Sequence, residues 1–137
     1  MATNIVSEEC ECAGEIRSYS HDKALSLLKS VEESFMTAAK KHDATIDFTY
    51  EVHFKAYEVT QDDSVVKRFD EACALLGIGS RHVNTFGGSD NHQFNAHGIK
   101  GIVLSCGMEN VHTTDEYIKI DNLINGAKLV EKLITIE

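Results

Sequence analysis

Proline is absent altogether. With no pyrrolidine ring to stop a helix, element ends have to be read from glycines and capping side chains. Basic residues are few: 13 Lys and Arg stand against 22 Asp and Glu, for a formal net charge of -9. That balance excludes a nucleic-acid binder, which needs a basic footprint. No apolar run reaches the length of a membrane span. The first residues, Met1 to Glu9, lack the basic and apolar regions of a secretory signal, so a cytoplasmic location is expected. Cysteine is limited to Cys10, Cys12, Cys73 and Cys106. A lone C-x-C is a weak metal signal, and the plainer expectation is reduced thiols packed as small hydrophobes.

What is present is an ordinary globular composition, 42% apolar over 137 residues, which argues against disorder and allows one domain or two small ones. Residues 8 to 19 read as a strand, with Cys10, Cys12, Gly14 and Ile16 on one face and Glu9, Glu11, Glu15 and Arg17 on the other. Residues 21 to 42 read as a helix: Ser20 is a candidate N-cap, Asp22 favours the first turn, and Leu25, Leu28, Val31, Phe35 and Ala39 make one apolar stripe. Residues 45 to 57 alternate apolar and polar from Ile46 to Ala56, predicting a strand buried on one face and solvated on the other.

The character changes near residues 57 to 61. Gln61 to Ser64 reads as a loop and cap, then Val65, Val66, Phe69, Ala72, Cys73 and Leu76 form a helical stripe that Gly77 and Gly79 end. A short strand at 81 to 86 and a short helix near 90 to 97, stopped by Gly98, follow. Ile102-Val103-Leu104 suits a strand buried on both faces. A last helix from about Asp121 is expected to bury Leu123, Ile124, Ala127, Val130 and Ile134. Alternating helices and buried strands make the second half an α/β layer.

Two segments are candidates for chemistry. Gly87-Gly88-Ser89-Asp90 is a glycine turn before a helix, where backbone N–H groups can approach a ligand; Ser89 or Asp90 could equally cap that helix. His112 opens the polar loop His112-Thr113-Thr114-Asp115-Glu116-Tyr117. A neutral imidazole there can bind zinc, with Asp115 or Glu116 as the acceptor that orients it; the alternative is a loop histidine bonded to backbone. Arg17 carries a fork suited to a carboxylate, or forms a surface pair with Glu15. His92 and His97 share a helix face poorly and read as surface residues, as does His53 on the polar face of its strand.

In their order along the chain these segments resemble the dinuclear zinc metallopeptidases related to peptidase T and the aminoacylases. Ala2-Thr3-Asn4-Ile5-Val6 with Gly14-Glu15-Ile16-Arg17-Ser18 looks like the middle of the lid domain, and the amphipathic helix and the long alternating strand look like the rest of it. Gly87 to Asp90, Phe94-Asn95-Ala96-His97-Gly98-Ile99 and Val111 to Ile118 look like the return into the catalytic domain. The resemblance implies an α/β (α+β) chain: a partial ferredoxin-like lid, or dimerisation, domain over 1–58 and the C-terminal part of a catalytic domain over 59–137.

By the same resemblance the activity is that of a hydrolase, an aminopeptidase or tripeptidase in which two zinc ions activate a water that attacks a peptide carbonyl. His112 would be a zinc ligand. Asn4 and Arg17 would hold the substrate carboxylate or the tetrahedral intermediate, Asn4 across a dimer. Ser89 and Gly107 would line the substrate pocket, and the lid sheet would make a homodimer. The family's other metal ligands and its general-base glutamate find no match in this sequence, so the zinc site is incomplete and the chain is expected to be inactive alone. A non-catalytic module for self-association or partner binding is the alternative. Ser7 and Lys100 replace usual prolines, and Asn91-His92 replaces a usual small residue.

Overall fold

A computed structural model describes residues 4–136; Ala2 and Thr3, which precede the Asn4 segment, lie outside that range. The chain divides into two units, Met1–Glu51 and Val52–Glu137.

The first unit is organised by helix α1, His21–Lys41. Ser20 is its N-cap and accepts the Lys23 N–H at 3.3 Å. This bond satisfies one of the donors that every helix start leaves open. Asp22 lies in the first turn and Lys40 and Lys41 in the last, both favourable to the helix dipole. The helix ends through Asp43 at φ 52°. The predicted stripe is only half covered: Leu28, Val31 and Ala39 are partly buried, while Leu25 and Phe35 remain exposed. Phe35 meets Phe48 with ring centroids 6.1 Å apart.

The second unit contains α2 (Ser64–Leu75), α3 (Asn91–Ala96), strands β1 (Met108–Glu109) and β2 (Tyr117–Ile118), and α4 (Ile120–Thr135). Its core lies between α2 and α4. Ala72, Cys73 and Leu129 are buried, and Phe69, Leu76, Ile78, Leu104, Leu133 and Ile136 pack around them. Arg68 ties the two helices together: its guanidinium donates to Leu133 O at 2.8 Å and Ile136 O at 2.5 Å, satisfying carbonyls at the end of α4. Gly77 at φ 65° follows the end of α2, and Gly98 at φ 79° follows α3, the left-handed conformation that a side chain disfavours.

Two expectations fail. The regular sheet among the described residues is one antiparallel pair, Met108 opposite Ile118 and Glu109 opposite Tyr117. The stretches expected as strands at 8–19, 45–57, 81–86 and 102–104 carry no ladder. The alternation of residues 45–57 states which face would be buried, but a strand needs a neighbouring backbone to pair with. Val103, expected to be buried, is 56% exposed.

The buried face of α4 is also not the one expected. Leu123, Ile124, Val130 and Ile134 are exposed, and the inward line runs Asn122, Gly126, Leu129, Leu133 and Ile136. That line begins with a polar residue and a glycine, so apolar counting passes over it. The two stripes are displaced by one residue, roughly 100° around the helix.

The apolar residues left outside are numerous. Among them are Val6, Leu75, Val83, Ile99, Ile120 and Ile134, each at least 61% exposed. Cys10 and Cys12 are both exposed, contrary to the expectation of packed thiols; Cys73 alone is buried. The mixture of helices and one small sheet places the chain in the α+β class.

Candidate functional site

His112 sits in the loop of residues 110–116, between β1 and β2. The loop is held by its own side chains. Thr113 N and Oγ1 both donate to Asn110 O, at 3.2 and 2.8 Å, and Asp115 N donates to Thr113 Oγ1 at 3.2 Å. Asn110 at φ 53° and His112 at φ 67° both take the left-handed conformation. A β-carbon makes that conformation costly, by about 1–2 kcal/mol per residue. The Glu116 carboxylate accepts the His112 main-chain N–H at 2.8 Å. Glu116 therefore fixes the backbone of His112, where an acceptor for the imidazole ring was expected. His112 is exposed.

Gly107 stands one residue before β1 at φ 82°, and its carbonyl accepts from Asn122 Nδ2 at 3.3 Å. A β-carbon there would lie 2.7 Å from that same nitrogen. The hairpin thus places Gly107 and His112 on either side of β1.

The Gly87 to Asp90 turn is tied to an aromatic cluster around His92 that the sequence does not announce. Asp90 occupies the N-cap position of α3, but its side chain makes no capping bond. Ser89 does not cap either: its Oγ is buried with no hydrogen-bond partner. Capping, the bland expectation for this turn, is therefore not what the two side chains do. An orphaned buried hydroxyl costs free energy unless something bonds it.

His92, expected at the surface, is partly buried between Phe54 and Tyr57, with ring centroids at 4.6 and 5.1 Å. Its Nδ1 lies 2.7 Å from Ser89 O and 3.3 Å from Ser89 N. The shorter contact is to a carbonyl, which only accepts, so Nδ1 carries the proton and Nε2 is the open nitrogen in the neutral ring. Asn91 donates from Nδ2 to Tyr57 Oη at 2.7 Å and to Gly101 O at 2.9 Å. Phe54 also covers Gly88, where a β-carbon would fall 2.7 Å from the ring. The departure of Asn91-His92 from a small residue was the one available signal. Their partners Phe54 and Tyr57 lie more than thirty residues upstream, and nothing local announces them.

Asn4 and Arg17 belong to the other unit. Asn4 is exposed. Arg17 donates to Glu15 through Nε at 2.5 Å and a terminal nitrogen at 3.0 Å. This bidentate pair raises the guanidinium pKa further. His97 is exposed and its Nδ1 meets Gln93 O at 2.7 Å.

Collinear similarity decides the family. Residues 3–136 match peptidase family M20/M25/M40. The chain belongs to that family. Its members are hydrolases of the metallopeptidase type, generally dependent on metal. One relative is the uncharacterized protein YqjE of Bacillus subtilis (strain 168), 30% identical over 132 residues, which are 96% of this chain and 36% of that protein. The chain therefore spans about a third of the length of this curated relative. No solved structure matches.

A family metal would need several donors converging on one point. Among the described residues there is no group of three or more His, Cys, Asp or Glu able to hold an ion. A catalytic zinc centre takes three protein ligands and an open position. The described residues do not meet that requirement. No helix among them is long and apolar enough to cross a membrane.

Proposed function

We propose that this chain supplies the C-terminal share of a peptidase T-like di- or tripeptidase site. In this reading His112 is one zinc ligand, and Ser89 and Gly107 line the pocket for a peptide substrate. Asn4 and Arg17 hold the substrate carboxylate, Arg17 after exchanging its Glu15 partner for the ligand. Residues 1–58 are a partial ferredoxin-like lid that dimerises through its sheet, and residues 59–137 are the end of a catalytic domain in the cytoplasm. The chain is inactive alone because it lacks the general base and the remaining ligands. The observation that carries this reading is His112 itself: an exposed imidazole, in a strained left-handed conformation, with its backbone held by a carboxylate. Strain of that kind persists where a surrounding structure enforces it, and it clusters at ligand sites.

The test is a graft. Residues 3–136 replace the matching stretch of the Bacillus subtilis relative, and bound metal and tripeptide hydrolysis are measured. The expected result is a hybrid that binds divalent metal and loses much of it in H112A. Metal content unchanged by H112A overturns the assignment. So does tripeptide hydrolysis by the unjoined chain.

One observation favours a second reading, a non-catalytic module for self-association or partner binding. One face of α4 leaves Leu123, Ile124, Val130 and Ile134 exposed, and burying an apolar face of that kind against a partner would drive association. Sedimentation over a range of concentrations decides it: assembly with rising concentration supports the module, and a monomer throughout removes it.

A further inference from the structure

The Ser89 carbonyl takes two hydrogen bonds from one residue. His92 donates to it from its main-chain N–H at 3.2 Å and from ring Nδ1 at 2.7 Å. A serine just ahead of a helix ordinarily turns its hydroxyl onto a backbone group a few residues on. Here that hydroxyl is buried and bonds to nothing. The imidazole closes the turn in its place.

The ring that does this is itself held. Phe54 lies against it, with centroids 4.6 Å apart and planes at 35°, and Tyr57 meets it edge-on at 5.1 Å and 89°. Tyr57 is anchored in turn, since Asn91 Nδ2 donates to its Oη at 2.7 Å and to Gly101 O at 2.9 Å. Phe54 also closes over Gly88, where a β-carbon would lie 2.7 Å from the ring. Two consecutive residues are thus gripped, Gly88 by Phe54 and Ser89 by the imidazole. All of these residues belong to the unit Val52–Glu137.

We propose that His92 is the positioning residue of this turn: its Nδ1–H clamps the Ser89 carbonyl and keeps the Ser89 hydroxyl unbonded, ready to donate to an oxygen of a bound peptide. The proposal rests on the reading of Ser89 as a pocket-lining residue and adds the group that prepares it. A buried hydroxyl without a partner is unfavourable, so a substrate oxygen placed there gains a bond that the clamped turn does not supply. Stacking alone would not have this effect. A phenyl ring in the same place would fill the space between Phe54 and Tyr57 but would offer no N–H.

Two measurements on the whole chain test the clamp. Nitrogen-15 NMR at pH of about 8, where the imidazole is neutral, is expected to show the Nδ1–H tautomer at His92. Amide exchange over residues 89–92 is expected to be faster in H92F, which keeps a ring and loses the donor. A third measurement uses the hybrid with the Bacillus subtilis relative. There H92F and S89A should each raise KM for a tripeptide about fivefold, with kcat and metal content little changed. The double variant H92F,S89A should be no worse than S89A, because the clamp acts only through the hydroxyl. An Nε2–H tautomer at His92, exchange in H92F equal to the parent chain, or additive KM effects in the double variant would each overturn the proposal. A hybrid that takes up no metal counts against the proposed function, and the tautomer and exchange results still decide the clamp. Far-ultraviolet circular dichroism checks that H92F folds, and the tautomer is read without any substitution.

Discussion

The Glu116 carboxylate accepts the main-chain N–H of His112 at 2.8 Å while His112 holds φ at 67°. A side chain four residues ahead thus props a backbone conformation that histidine pays to adopt. The geometry of the hairpin loop and the stability of the chain pull in opposite directions at this position.

Replacing His112 by glycine removes the β-carbon from the left-handed conformation. H112G is expected to raise stability by about 1 kcal/mol, read as an upward shift in thermal midpoint. E116A is expected to loosen residues 110–116, read as faster amide exchange at His112, whereas E116Q keeps an acceptor and loses less. A stability loss in H112G would show that the ring, not the backbone, is what the loop depends on.

Ser89 gives the reverse test of the capping expectation. A serine that caps a helix costs about 1 kcal/mol when changed to alanine. With its buried Oγ unpartnered, S89A is expected to be neutral or slightly stabilising in urea unfolding. A loss near 1 kcal/mol would mean the hydroxyl is satisfied after all.

The two stripes of α4 separate cleanly by mutation. Leu129 is buried at 8% exposure against the α2 core, so L129A is expected to cost about 2–4 kcal/mol. Leu123 is 55% exposed, and L123A should cost less than about 1 kcal/mol. Equal losses from chemical denaturation would place the helix face elsewhere.

Gly107 combines a left-handed φ with a close neighbour, Asn122. G107A is expected to destabilise by about 1–3 kcal/mol in thermal unfolding. The double variant G107A,N122G removes the facing Asn122 atoms, the β-carbon at 2.9 Å included, so relative to N122G alone the added methyl should cost only the backbone part.

Acid should weaken the second unit. The Asp70 carboxyl is held below its ordinary value chiefly by its hydrogen bond to His82, 2.8 Å away. Asp63 is lowered by Lys100 and by the Thr60 main-chain N–H. A depressed carboxyl contributes stability that is complete above the ordinary carboxylate range and is lost as pH falls through the lowered folded value. Thermal midpoints should therefore fall more between neutral pH and pH of about 3 in the parent chain than in D70N or D63N; equal falls would assign the loss to other groups.

Local chemistry was legible where it was self-contained. The Ser20 cap, the length of α1, the α2 stripe through Val66, Ala72 and Cys73, and the glycines that follow α2 and α3 all rest on neighbours within a turn or two. The order of motifs carried the family. The enclosure of His92 by Phe54 and Tyr57, the true inward face of α4, the hairpin around His112 and the orphaned Ser89 hydroxyl did not show. The first two depend on partners distant in sequence, and the last two on backbone conformations and burial that no residue pattern states.

The sequence by itself determined the helices, their ends and the family, because caps, periodicity and motif order are properties of adjacent residues. Only the tertiary structure decided which apolar stripe goes inward, which polar atoms are left without a partner, and which strand-like segments stay unladdered. Those outcomes depend on what surface each segment meets, and alternation or hydrophobicity along one segment carries no information about its neighbour.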